Sequence, residues 1–214
     1  MRSISALKLL LFIAAVCSLS SCQKELSIDV PPGNTGGNGN GNNTSNIVGE
    51  YNFVGMTAHT SSTVEVSQAG QNLKTVTVSD YNTQNNSGTV KITANQVIST
   101  DNAYSIDTIM NGKTYIDGIL VDDSDFPFVV SSPPTSSTSS YVRNSTDSIT
   151  ITGPIGFPDP SGNISTGSVG SKLSWHGDTL YMKVATTFTQ TITQGGVPAT
   201  VTGTVTGISK LKKR

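Results

Sequence analysis

The chain has 214 residues, of which 35% are hydrophobic and 13% charged, with a formal net charge of −1. That balance excludes a polyanion partner: no basic cluster is interleaved with aromatic residues, as a nucleic-acid surface requires, and the one basic run, Lys210 with Lys212, Lys213 and Arg214, reads as a solvated chain end. Cysteine is confined to Cys17 and Cys22, so no disulfide framework staples the body of the chain and a hydrophobic core has to hold it.

Arg2 and Lys8 flank the start of an apolar run, Leu9 to Val16, and Leu19-Ser20-Ser21-Cys22 follows it. A charged start, a short apolar core and small residues before a cleavage point form an export signal. The run, eight residues long, is too short for a transmembrane helix, which needs about 20. The ending resembles the lipobox of bacterial lipoproteins. That resemblance implies cleavage before Cys22, diacylglycerol on its thiol, and a third acyl chain such as palmitate on the new amino terminus. Residues 1–21 are therefore expected to be a signal peptide and Cys22 the lipidation site; losing Arg2 and Lys8 takes the net charge from −1 to −3. Two or more acyl chains anchor a protein stably where one does not, so the expected partner is a membrane.

The residues after the cysteine refine the address. Gln23 is not aspartate, which favours inner-membrane retention in many Gram-negative lipoproteins. Gln23-Lys24-Glu25 is similar to the lysine-plus-acidic export tag of surface-displayed lipoproteins, with the plain start of a tether as the alternative. The implied location is the outer membrane, lipid-anchored, with cell-surface display as a further expectation.

Residues 22–46 form the expected tether. Gly33-Asn34-Thr35-Gly36-Gly37-Asn38-Gly39-Asn40-Gly41-Asn42-Asn43 offers no apolar side chain to bury. A Gly-rich chain of about 20 residues reaches roughly 25 Å, enough to lift a folded domain clear of lipid. Residues 47–214 are left as one domain with a sizeable core.

From Ile47 onward the pattern has period two. Thr63-Val64-Glu65-Val66, Thr75-Val76-Thr77-Val78, Thr89-Val90-Lys91-Ile92 and Ser148-Ile149-Thr150-Ile151 alternate polar with β-branched residues, which predicts strands with one buried face. Asn111-Gly112, between Tyr104–Met110 and Lys113–Val121, predicts a type I′ hairpin turn. Asp159-Pro160-Ser161-Gly162, Trp175-His176-Gly177-Asp178 and Gly195-Gly196 predict further turns. Asp122-Asp123-Ser124-Asp125 reads as a solvated turn, with a weak cation site as the lesser alternative. Pro133-Pro134-Thr135-Ser136-Ser137-Thr138-Ser139-Ser140 reads as a mobile loop.

The span Leu180–Ile192 places Leu180, Met182, Val184, Phe188 and Ile192 on one face and Tyr181, Lys183, Ala185, Thr187, Thr189 and Thr191 on the other. At about 3.3 Å per residue it is about 40 Å long, against a usual strand of about 17–20 Å. That length suits a tilted barrel or a bent sheet better than a compact sandwich. Val201, Gly203, Val205 and Gly207 share one face of the following strand, where small residues leave room or mark a bend. The expected fold is all-β, a single antiparallel up-and-down barrel, with a β-sandwich as the alternative.

Gly49-Glu50-Tyr51 opens this domain, and Gly177-Asp178-Thr179-Leu180-Tyr181-Met182 with Ile208-Ser209-Lys210-Leu211 closes it. These two ends resemble bacterial lipocalin-like lipoproteins, where the opening motif is Gly-x-Trp. The resemblance implies a cation–π closure of the barrel base, Lys210 or Arg214 over Tyr51.

A search for chemistry returns little. His59 and His176 stand apart, and neither has metal-ligand spacing. No nucleophile elbow or phosphate loop occurs, no cofactor motif is present, and Glu25, Glu50 and Glu65 nominate no carboxylate pair. Asp107-Thr108-Ile109, Asp147-Ser148-Ile149 and Asp178-Thr179-Leu180 resemble the acceptor triplets of bacterial O-glycosylation, although turn-to-strand transitions generate the same triplets. The expected function is non-enzymatic: a barrel holding a small apolar ligand against Leu180, Met182, Val184 and Phe188 by desolvation. The alternative is an interaction module that binds glycan or protein through exposed loops, with Tyr141, Phe157 or Trp175 as an aromatic platform.

Overall fold

The computed structural model of the chain describes residues 47–68, 70–158, 164–194 and 197–214, and for 155–158, 164–166 and 194 the backbone only. The expected signal peptide, Cys22, the tether, Phe157's side chain and the turns at 159–162 and 195–196 lie outside the described residues.

The period-two pattern builds nine strands: β1 (Gly49–Gln68), β2 (Gln71–Asn82), β3 (Gln84–Ile92), β4 (Gln96–Ile116), β5 (Ile119–Arg143), β6 (Ser148–Pro158), β7 (Ile164–His176), β8 (Thr179–Gln194) and β9 (Val197–Lys213). β2 and β3 run end to end beside β1, which pairs its Thr57–Gln68 with β2 and its Gly49–Asn52 with β3. They act as one strand interrupted at Thr83, whose hydroxyl accepts the Met56 amide at 2.7 Å. All pairings are antiparallel and, with β2 and β3 counted as one strand, join chain neighbours; β9 returns to β1 from Tyr51 to Val66, so the up-and-down sheet closes in a ring.

The ring is complete only at its base. β5 meets β6 through Ser140–Arg143, and β7 meets β8 through Ser171–His176. Beyond those contacts, among the described residues, Ile119–Ser139 of β5 pairs with β4 alone and Ala185–Gln194 of β8 with β9 alone. Above the base the sheet is therefore open, in the order β8-β9-β1-β2-β4-β5. The base is filled: Ile47, Tyr51, Ile92, Ile149 and Leu180 lie at 0–1% exposure.

A belt of irregularities marks the level where the closed base gives way to the open sheet. β1 slips register between Phe53 and Gly55, β3 around Ser87–Thr89, and β4 against β5 between Ser99 and Tyr104. Gly55, Gly88, Asp101 and Gly153 take positive φ there. Bulges bend strands and increase their twist, which is how strands of 20, 21 and 25 residues fit one molecule.

Several turn and loop expectations are corrected. Asn111 and Gly112 lie inside β4, opposite Val78 and Thr77 of β2. The β4–β5 hairpin reverses at Asp117-Gly118, both with positive φ as a type I′ turn requires. Both pairs have turn chemistry; reversal at Asn111 would strip β2 of its partners Thr114 and Ile116. Asp122-Asp123-Ser124-Asp125 is strand, not turn, and so is Pro133–Ser140. The two prolines sit where the register slips between Ser132 and Thr135, so no ladder bond needs their missing N–H. The turn expected at Gly177-Asp178 is present, with His176 opposite Thr179 and Gly177 at positive φ.

Candidate functional site

One row of facing residues crosses the open part of the sheet. Phe188 stands opposite Gly203, Gly203 opposite Ser62, Ser62 opposite Thr77, Thr77 opposite Gly112, and Gly112 opposite Ser124. Alternate residues share a face, and Ala58, Thr60 and Val205 of the same parity are buried, so this row continues the interior of the ring.

The centre of the row is small and its flanks are aromatic. The ring of Phe188 fills the space a side chain at Gly203 would take, and a Cβ on Gly112 would lie 2.7 Å from Cε1 of Phe126. Two phenylalanines from the outermost strands thus fold inward over glycines. Between them the floor presents the hydroxyls of Ser62 and Thr77, both half-buried.

The next row toward the base is Val205, Thr60, Ser79 and Met110. Ser79 is buried at 3% exposure and its Oγ has no hydrogen-bond partner. An unpaired buried hydroxyl costs about 1–3 kcal/mol, a cost that a ligand's polar group would offset. Ser171 Oγ, opposite Val184 in the base, is similarly unpaired.

The four residues expected to line a ligand site share one face of β8 but divide between two environments. Leu180, Met182 and Val184 belong to the packed base, whereas Phe188 is half-buried in the open row. The sequence marked Gly203 as a small residue of this face, but it read Gly112 as a turn and Thr77 as an ordinary strand position, and Ser62, Ser79 and Phe126 carried no signal. In β2 the pattern pointed the wrong way: Val76 and Val78 are only half-buried, while Ser79 and Tyr81 on the opposite face are buried.

The other singled-out residues lie elsewhere. His59 pairs with Asp80 at 2.8 Å on the outer face, and His176 packs edge-on against Tyr181 at 4.7 Å between ring centroids. Among the described residues no three His, Cys, Asp or Glu come together as a metal-sized group. In the acidic run, Asn111 donates to Asp123 and Asp125. That amide, more than the nearby Lys113, holds the Asp123 carboxyl below its usual range. Thr108 donates to Asp80 O, Thr179 to Asp178 Oδ1, and Ser148 Oγ shares a hydrogen bond with Ser145 Oγ, so each hydroxyl of the three acceptor-like triplets is engaged. Tyr141 is buried, and Trp175 is half-buried against the core. The aromatic group that meets Tyr51 is Trp175, at 6.2 Å; Lys210 stands in register with Gly55 and Tyr181, and Arg214 donates its amide to Glu50 O.

No protein-family model, no curated protein and no solved structure matches the chain.

Proposed function

We propose that this chain is a lipid-anchored bacterial outer-membrane lipoprotein with a lipocalin-like barrel, and that it holds a small apolar ligand without transforming it. Counting β2 and β3 as one interrupted strand leaves eight positions in the nine-stranded sheet, the number lipocalins use. Cys22 carries the acyl chains, and the tether holds the barrel above the outer membrane, with display at the cell surface.

The ligand site is the aromatic-flanked row, with Phe188 and Phe126 over Gly203 and Gly112 as the observation that supports it. Apolar walls supply desolvation, and Ser62, Thr77 and Ser79 supply the few polar groups that fix orientation. Leu180, Met182 and Val184 support the floor from below as core. Native mass spectrometry of residues 46–214, purified gently, tests this: an extra mass that leaves on denaturation is expected. A bare mass with no uptake from a panel of lipids and fatty acids would sink the ligand reading.

A second reading, an interaction module for glycan or protein, rests on the far end of the β4–β5 hairpin. Ile119 is 70% exposed there, beside exposed Leu120 and Val121. Failure of ligand uptake would move attention to this end.

A further inference from the structure

Among the described residues the open sheet has two unpaired edges, and they are built differently. Just before β8, Asp178 O accepts the Lys213 amide of β9, and the register between the two strands is unshifted from Thr179–Lys212 to Gln194–Val197. In such a ladder alternate residues bond to the neighbour, so even-numbered residues face β9. The N–H and C=O of Ala185, Thr187, Thr189, Thr191 and Thr193 therefore point to the open edge.

The same reasoning applies to β5. The Asp117 amide donates to Asn72 O of β2, so odd-numbered residues of this half of β4 face β2 and even-numbered ones face β5. Asp122, Ser124, Phe126 and Phe128 then bond to β4, and Asp123, Asp125, Pro127 and Val129 face outward. Pro127 removes a donor from that edge and two aspartates flank it, the devices by which sheets block edge-to-edge pairing. β8 carries neither a proline nor a charge between Ala185 and Gln194, and its outward set is one alanine and four exposed threonines, residues favoured in strands.

We propose that the β8 edge pairs antiparallel with the β8 edge of a second copy of this chain, about a two-fold axis at Thr189. The outward-facing residues are self-complementary in that register: Thr189 meets its own copy, Thr187 meets Thr191, and Ala185 meets Thr193. About ten main-chain hydrogen bonds form, threonine ladders face one another on the exposed side, and no charge opposes the approach. The blocked β5 edge prevents head-to-tail growth, so the assembly closes as an isologous dimer. This proposal does not depend on the ligand reading.

The test is cysteine cross-linking of the full chain in membranes, with sedimentation of the detergent-solubilised protein. At the axis, facing Cα atoms lie about 5.5 Å apart, within disulfide reach of about 4.4–6.8 Å. Thr187 lies about 13 Å from its own copy at 3.3 Å per residue. Thr189→Cys should therefore cross-link at least tenfold more than Thr187→Cys, with Cys17 and Cys22 the same in both. Thr189→Pro removes only an outward N–H; it should keep the native circular dichroism and lower the dimer fraction at least tenfold. Equal cross-linking of the two cysteine variants, a monomeric parent, or a different protein cross-linked at Thr189→Cys would each overturn the proposal.

Discussion

The hydroxyl of Tyr51 donates a 2.6 Å hydrogen bond to the carbonyl of Ile47, and its ring meets Trp175 at 6.2 Å. Both partners of the hydrogen bond are buried completely, so the bond ties the entry of the domain to the floor of the ring. Tyr51→Phe keeps the ring contact and strands the Ile47 carbonyl away from water. The expected loss is about 1–3 kcal/mol, read as a lower urea midpoint with an unchanged slope. An unchanged midpoint would show that the hydroxyl has no structural role.

Stability should decline in alkali. Burial raises the phenol of Tyr51 above its ordinary value of 10.0, with Tyr141 adding to the shift; burial also raises Tyr104, opposed by Ser132, and Tyr141, opposed by Arg143. The unfolded chain releases these protons near pH 10, while the folded chain keeps them to higher pH. Above pH 10 the folded state binds more protons, so stability falls as pH rises and is whole below that value. Urea midpoints at pH 8 and at successive steps above 10 should trace this fall. A flat profile, or tyrosine absorbance titrating entirely at the ordinary value, would contradict the assignment.

The belt of bulges makes a sharp contrast between two glycines. Gly88 has φ of +103°, and a Cβ there would meet backbone atoms, Cα of Asn102 and O of Asp101, each at 2.6 Å. Backbone cannot swing aside as a side-chain tip can, so Gly88→Ala should cost about 2–4 kcal/mol through strain and overpacking. Gly170, on the exposed face of β7, has nothing within 4 Å of such a Cβ. Gly170→Ala should be neutral or stabilising by up to about 1 kcal/mol. Thermal unfolding of the two variants side by side checks the ordering; equal midpoints would refute it.

The strands were legible because period two is a local signal, and the two faces of β8 fall as alternation predicts from Leu180 to Ile192. What alternation could not give was which of two Asx-Gly pairs turns the β4–β5 hairpin. That choice is made by β2, a distant strand that needs Thr114 and Ile116 opposite Thr75 and Leu73. Composition misled for Pro133–Ser140, since a proline-serine stretch is strand when a bulge excuses its missing donors. The open row was hidden for a related reason: Phe188, Gly203, Ser62, Thr77 and Gly112 come from five strands, and only the assembled register sets them side by side.

That row yields the sharpest separation of core from site. Phe188 is half-buried over Gly203, so Phe188→Ala should cost only about 1 kcal/mol of stability while removing one wall of the proposed ligand site. Leu180 is fully buried at the base, and Leu180→Ala should cost about 2–5 kcal/mol yet leave uptake by the folded fraction intact. Gly203→Ala places a methyl group where the Phe188 ring lies, forcing the ring to turn. It should weaken ligand retention as Phe188→Ala does, and the double variant should lose no more than either alone, because contacting residues do not contribute independently. Ligand occupancy by native mass spectrometry, set beside urea midpoints, distinguishes the two classes. If Leu180→Ala empties the protein while Phe188→Ala leaves it loaded, the ligand sits in the base and the aromatic row is only its lid.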